Sequence, residues 1–349
     1  MGFDLHTYRN KKVFLTGHTG FKGGWLLATL NYLGAKTTGY ALSPQYKKGI
    51  YTAINGNAKC KSIIADIRNR RKLEKEILDL KPDFIFHLAA QPLVRASLLD
   101  PPETFDVNIM GTANVLEAAR KLKNKCSLVI VTTDKVYKNT EKGLPFNERD
   151  RLGGHDPYSA SKACTELLVQ SYAHSFFGPG MNSKVRLATA RAGNVIGGGD
   201  FSEDRIIPDF VKSLAQNKTL NIRNPYSVRP WQHVLESTSG YLLLGLLLNS
   251  GKHHSQAYNF GPHSGAQLTV KEVIERAIET WGGGAYQLAS LKKNQEAGIL
   301  KLNTRLAQKE IGWKPKLSFG KALTLTAEWY RSNDPAGITE KQISAYFRL

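Results

Sequence analysis

Short apolar runs alternate with helical periodicity through the first half of the chain, and this alternation limits the fold more than any other feature. Residues 12–16, 36–41, 60–66, 83–89, 127–133 and 185–191 read as strands, and 23–33, 69–80, 101–122 and 158–177 read as helices. Parallel strands need long crossovers, so strands separated by helices predict a sheet covered on both faces. The expected class is α/β, a doubly wound parallel sheet. After residue 194 the alternation breaks. Gly197-Gly198-Gly199 reads as a loop, 205–216, 235–249, 269–281 and 319–331 as helices, and 220–223 and 257–260 as short strands. A smaller mixed α/β unit is expected there, giving domains 1–193 and 194–349 with interleaved segments and a pocket between them.

The 349 residues, 41% hydrophobic and 22% charged, suit a packed globular chain. No basic start followed by an apolar leader is present, and the apolar stretch 241–248 is far shorter than the roughly 18 residues a membrane span requires. A soluble cytoplasmic protein is expected. Cys60, Cys126 and Cys164 have neither metal-ligand spacing nor a disulfide pattern, and His253 and His254 lack further ligands, so no metal site is expected. The formal charge is +19, but its lysines and arginines are scattered, and no helix-turn-helix, zinc-finger or RNA-recognition signature accompanies them. A basic surface that attracts anionic small molecules is expected, not specific nucleic-acid binding.

Directly after the first strand comes Thr16-Gly17-His18-Thr19-Gly20-Phe21-Lys22-Gly23. Glycines at three-residue steps between a strand and a helix allow a tight turn and bring a pyrophosphate close to a positive helix end. A dinucleotide site is implied. An acid at the end of the second strand would hold an adenosine ribose and favour NAD, yet no Asp or Glu occurs from Trp25 to Ile64. The spacing does not choose between NAD and NADP, and Lys47 and Lys48 read either as 2′-phosphate contacts or as surface loop.

Tyr158 and Lys162 are four residues apart, hence on one helix face. A nearby ammonium favours phenolate, so Lys162 is expected to lower the Tyr158 pKa toward that of a working base for an alcohol proton. Such a pair is common on helices. Its weight comes from the glycine turn and from the polar strand end Thr132-Thr133-Asp134-Lys135.

These motifs, with Asp66-Ile67, Leu88-Ala89-Ala90 and Arg191-Ala192-Gly193-Asn194-Val195, resemble the extended short-chain dehydrogenase/reductase family along essentially the whole chain. Within it, the segments 17–23, 90–95, 133–137 and 229–234 are similar to the CDP-glucose branch of the nucleotide-sugar 4,6-dehydratases. The resemblance implies a Rossmann-type fold, tightly held NAD and a nucleotide-diphosphate hexose as substrate. It places Gly17, Thr19, Gly20, Phe21, Lys22, Gly23, Asp66, Ile67, Leu88, Ala89, Ala90, Tyr158 and Lys162 at the cofactor. Gln91, Arg95, Asn194 and Arg229 fall to the substrate. Asp66 reads equally well as the N-cap of the following helix. A homodimer or higher homo-oligomer through the helices at 101–122 and 158–177 is also implied.

The implied reaction is oxidation at C4, loss of water across C5 and C6, and hydride return to C6, which turns CDP-glucose into its 4-keto-6-deoxy derivative. Thr133 would orient the O4 region, Tyr158 take its proton, and Asp134 protonate the departing C6 hydroxyl. Lys135 stands where dTDP-sugar relatives carry glutamate. It reads as a neutral base for the C5 proton, as a charged group stabilising the enolate, or as a lysine turned out to a surface acid. The alternatives are another nucleotide-sugar dehydratase, a 4-epimerase, which needs no acid at C6, and a catalytically silent NAD-binding regulator.

Overall fold

Strand runs with no polar face must be covered on both sides, and every residue of Phe84–His87 and Cys126–Val131 is buried. In the computed structural model, which describes residues 3–178, 180–263, 267–289 and 298–348, these two strands lie at the centre of a seven-stranded sheet. Its members are β1 (Lys12–Thr16), β2 (Lys36–Ala41), β3 (Lys61–Ile64), β4 (Phe84–His87), β5 (Cys126–Val131), β6 (Val185–Ala192) and β7 (Ala257–Phe260). All pairings are parallel, in the order β7-β6-β5-β4-β1-β2-β3. The order reverses between β1 and β4, so a ligand crevice is expected beyond the carboxyl ends of those strands.

Alternation along each strand sends side chains to two cores. Val13, Leu15, Phe84 and Phe86 pack with α1 (Phe21–Tyr32) on one face, while Phe14, Ile85 and Leu128 pack on the other with α2 (Arg70–Leu80), α3 (Gly111–Arg120) and α4 (Pro157–Tyr172). A third cluster joins α5 (Ile206–Ala215), α7 (Val270–Trp281) and α8 (Phe319–Arg331) away from the sheet. Between them in sequence, α6 (Val234–Ser250) and β7 return to the main sheet. The apolar run 241–248 is therefore a core helix, buried nearly all round. Among the described residues no helix is long and apolar enough to cross a membrane.

The expected helix 101–122 is interrupted. Pro101–Phe105 is followed by a π-turn at Asp106–Met110 and then by α3. Asn108 supplies the reason. Its side-chain amide donates to the Gln91 carbonyl (3.1 Å) and Ser161 Oγ (2.8 Å), its side-chain oxygen accepts from Gln91 N (2.8 Å), and its backbone carbonyl receives the Thr112 and Thr165 hydroxyls. One extra residue in the turn lets the backbone and side chain of Asn108 serve the loop after β4 and α4 together. Three strands also stop short of their expected ends, β3 at Ile64, β4 at His87 and β5 at Val131.

Candidate active site

The glycine turn is shaped by the absence of side chains. Gly17 has φ +74°, and a Cβ on it would meet Ala89 N at 2.7 Å; on Gly23 a Cβ would lie 1.9 Å from the Gly17 carbonyl oxygen. Gly20 is the N-cap of α1 and brings no capping side chain, so the open N–H groups of the first turn face the crevice. Across it, Thr16 Oγ1 receives Leu88 N and Ala89 N, each at 3.1 Å, which leaves its proton for His87 Nδ1 at 2.7 Å. His87 Nε2 then donates to Thr112 Oγ1 at 3.0 Å, and Thr112 to the Asn108 carbonyl. Burial holds His87 down to about 3, so it stays neutral in this chain of bonds.

These features fit the pyrophosphate of a dinucleotide. The other residues expected at the cofactor take varied positions. Thr19 donates to the Leu42 carbonyl, Phe21 joins an apolar cluster with Trp25, and Ile67 is buried against Gly111. Ala90 follows Ala89 at the rim of the same loop, half-buried. Asp66 pairs with Arg68 at 2.7 Å and accepts the Arg68 backbone N–H; the α2 N-cap is Asn69, which corrects the capping alternative for Asp66.

Beyond β5 the chain forms a single 3₁₀ turn, Asp134–Val136, capped by Thr133. Asp134 is 1% exposed; Oδ1 accepts the Thr133 hydroxyl at 3.0 Å, and Oδ2 has no hydrogen-bond partner among the described residues. Burial raises its pKa, with Lys135 the foremost opposing charge. Lys135 is half-buried and lines the same cavity as Asp134, Tyr158, Asn194 and Arg229, and it forms no ion pair among the described residues. The outward-facing alternative for this lysine is not what the fold adopts.

Tyr158 and Lys162 share a face of α4, whose start is fixed by Pro157 and a reciprocal Asp156/Ser159 cap. The expected lowering of the phenol by Lys162 is corrected. Burial pushes Tyr158 up to about 12, opposed by Thr133 and Arg205, while the Lys162 ammonium donates to the Val131 carbonyl at 3.3 Å. Lys162 is itself drawn down to about 8 by burial, with Glu166 opposing.

Arg95 lines the cavity and pairs with Asp204 at 2.7 Å, as does Arg223. Arg229 is buried against the Val228 and Gly298 carbonyls, and the Asn194 carbonyl receives Gln232 N. Gln91 is not brought into the cavity: its side-chain amide is spent on Thr104 and on Leu93 N. Two cavity residues escaped sequence reasoning in their roles. Arg205, paired with buried Asp200 at 3.1 Å, adds a cation near Tyr158, and Lys22 turns into the same cavity, where burial lowers it to about 8. Composition gave no signal for Arg205. Among the described residues, no group of three or more His, Cys, Asp or Glu could hold a metal ion.

Three comparisons bear on this arrangement. The family model described as GDP-mannose 4,6 dehydratase matches residues 14–326. A CDP-glucose 4,6-dehydratase from Salmonella typhimurium is 40% identical, with 98% of this chain and 98% of that protein covered. In fold, a dTDP-glucose 4,6-dehydratase from Streptomyces venezuelae, solved with NAD bound, matches with a TM-score of 0.79 at 23% identity over 92% of this chain and 97% of that one. A UDP-glucose 4-epimerase from Thermotoga maritima, solved with UDP-glucose, matches with a TM-score of 0.78 at 23% identity over 92% and 98%. The fold is thus shared by dehydratases and epimerases, and the choice between them falls to side chains.

Proposed function

The chain belongs to the GDP-mannose 4,6-dehydratase family, and from that premise we propose that it is an NAD-dependent nucleotide-sugar 4,6-dehydratase acting on CDP-glucose. Residues 1–193 hold the cofactor and 194–349 the sugar nucleotide, with interleaved segments: Arg95 and the turn at 133–135 reach the substrate from the first unit, and 234–260 return to the main sheet. The observation that carries the reading is Asp134, a buried carboxyl whose Oδ2 lacks a partner among the described residues and whose pKa is raised. A buried carboxyl whose protonated form burial favours, beside Tyr158, suits loss of the C6 hydroxyl, a step that C4 epimerisation does not include. The 40% identity to a CDP-glucose 4,6-dehydratase supports the choice of nucleotide.

NAD, when bound, supplies the acceptor and donor of the hydride that leaves C4 and returns at C6. Its pyrophosphate would lie on the Gly17, Gly20 and Gly23 turn, with Asp66, Ile67, Leu88, Ala89 and Ala90 along its length. Tyr158 takes the O4 proton while Thr133 orients that oxygen. Burial raises the phenol and Thr133 and Arg205 oppose that rise; the positive charge that bound NAD would bring favours the phenolate further. Asp134 then delivers its proton to the C6 oxygen. Lys135 acts at the same step, through the C5 proton or the enolate. The arginines Arg95 and Arg229, with Asn194, fit the diphosphate end, and the overall +19 charge speeds encounter with a polyanion.

Free Cys60, Cys126 and Cys164 suit a reducing cytoplasm. Exposed Leu99, Met110 and Leu167 near the helices of residues 94–120 and α4 suit a homodimer, which sedimentation would register as twice the 38.7 kDa chain mass. The function is tested by supplying CDP-, dTDP- and UDP-glucose separately with NAD and assaying for a 4-keto sugar. CDP-glucose is expected to react fastest. Faster reaction of another nucleotide rejects the base preference, and no 4-keto product from any of them rejects the activity.

A further inference from the structure

Thr132 and Tyr137 bracket the turn that carries Asp134 and Lys135, and both are bonded to the two halves of one buried ion pair. The Thr132 hydroxyl donates to Glu166 Oε1. Glu166 Oε2 receives Arg191 Nη2 at 2.7 Å and the Thr189 hydroxyl at 2.8 Å. Arg191 Nη1 in turn donates to the Tyr137 hydroxyl at 2.9 Å, and that hydroxyl donates onward to Asn259 Oδ1 at 2.6 Å. The Arg191 guanidinium also lies over the Tyr137 ring, 5.1 Å from its centre. Glu166 and Arg191 are each only 1% exposed.

A buried ion pair is a poor device for stability alone, because desolvation offsets most of its Coulomb energy. What a bonded network of this kind supplies is direction, since each lost partner leaves a buried polar group uncompensated. Asp134 has need of it. Its only side-chain hydrogen bond among the described residues comes from its neighbour Thr133, so its carboxyl goes where the backbone of 132–137 carries it. The backbone of Tyr158 is fixed by the α4 cap and by its own N–H to Ser97 Oγ at 3.1 Å, neither of which involves Thr132 or Tyr137.

We propose that the Glu166–Arg191 pair is a positioning device for the elimination step, holding the 132–137 turn at both ends so that Asp134 and Lys135 meet C6 and C5. This rests on the reading of Asp134 as the acid at C6. Loosening either end should disturb water loss more than C4 oxidation. Removing only the outer partners Thr132 and Tyr137 leaves the Arg191 and Thr189 bonds to Glu166, so the pair and the charge beside Lys162 are expected to be kept.

The test is single-turnover reaction of the NAD-loaded protein with CDP-glucose. Absorbance of reduced nicotinamide reports C4 oxidation, and quenched samples report the 6-deoxy sugar. Thr132→Val and Tyr137→Phe are expected to slow water loss on the order of tenfold more than oxidation, so that reduced cofactor accumulates. Thr132→Ser, which keeps the donor, is expected to restore the wild-type ratio of the two rates. If both rates fall by one factor in the Val and Phe variants, or neither changes, the pair merely supports the fold and the proposal is overturned. Should Thr132→Val fail to fold, Tyr137→Phe decides alone. A wild-type protein that makes no 6-deoxy sugar overturns the underlying reading as well, and its own missing product tells that outcome apart.

Discussion

The cofactor turn at residues 17–23 and the catalytic turn at 132–137 follow two strands of one sheet, yet opposite means hold them in shape. The first is made of backbone. Gly17 and Gly23 approach other main-chain atoms so closely that a Cβ does not fit, and the turn closes through the Gly20 N–H to the Gly17 carbonyl. The second is made of side chains from distant places, Glu166 on α4, Thr189 and Arg191 on β6, and Asn259 on β7. A site of the first kind binds whatever presents a pyrophosphate. One of the second kind can select a single step of a reaction, because its acids and bases are aimed individually.

The largest effect should come from the backbone turn. In Gly23→Ala the new methyl meets a carbonyl oxygen that cannot rotate away, so a loss of about 2–3 kcal/mol in urea unfolding is expected, with NAD affinity falling in calorimetry. Wild-type affinity in that variant would erase the contrast between the two turns. A smaller and more selective effect is expected from Lys135→Ala. Water loss should fall by about a hundredfold while C4 oxidation is nearly kept. The sign of its pH dependence also follows. Asp134 acts while protonated, so water loss holds below its pKa and fails above it; Lys135 opposes the upward pull of burial on that carboxyl. Without the lysine the alkaline limit of water loss should move to higher pH. Equal losses in both steps would show that Lys135 does not belong to the elimination.

The same contrast explains what was legible in the sequence. Backbone geometry leaves a local record, and β1 and β2 fall on the residues that the apolar runs marked. The glycine turn follows β1 as its spacing requires. Side-chain geometry leaves a weaker one. Glu166 sits one turn beyond Lys162 and two beyond Tyr158, so an acid on a face that also carries apolar residues was the available hint of a buried partner. Arg191 lay within a recognised motif, but nothing local told that it would reach back to Tyr137. The π-turn at Asp106–Met110 was invisible for a similar reason, since it depends on Gln91, Ser161 and Thr165 from other elements. Gln91, expected at the substrate, is bound instead into that same structure. The phenol of Tyr158 departs from expectation because spacing reports a neighbouring cation and does not report burial.

The measurement that bears most directly on the central claim follows one hydrogen. Incubated with NAD and CDP-glucose carrying deuterium at C4, the protein is predicted to release a CDP-4-keto-6-deoxy sugar with that deuterium in its C6 methyl group. A CDP-hexose that keeps its C6 hydroxyl and differs only in configuration at C4 would contradict the account and make the protein an epimerase.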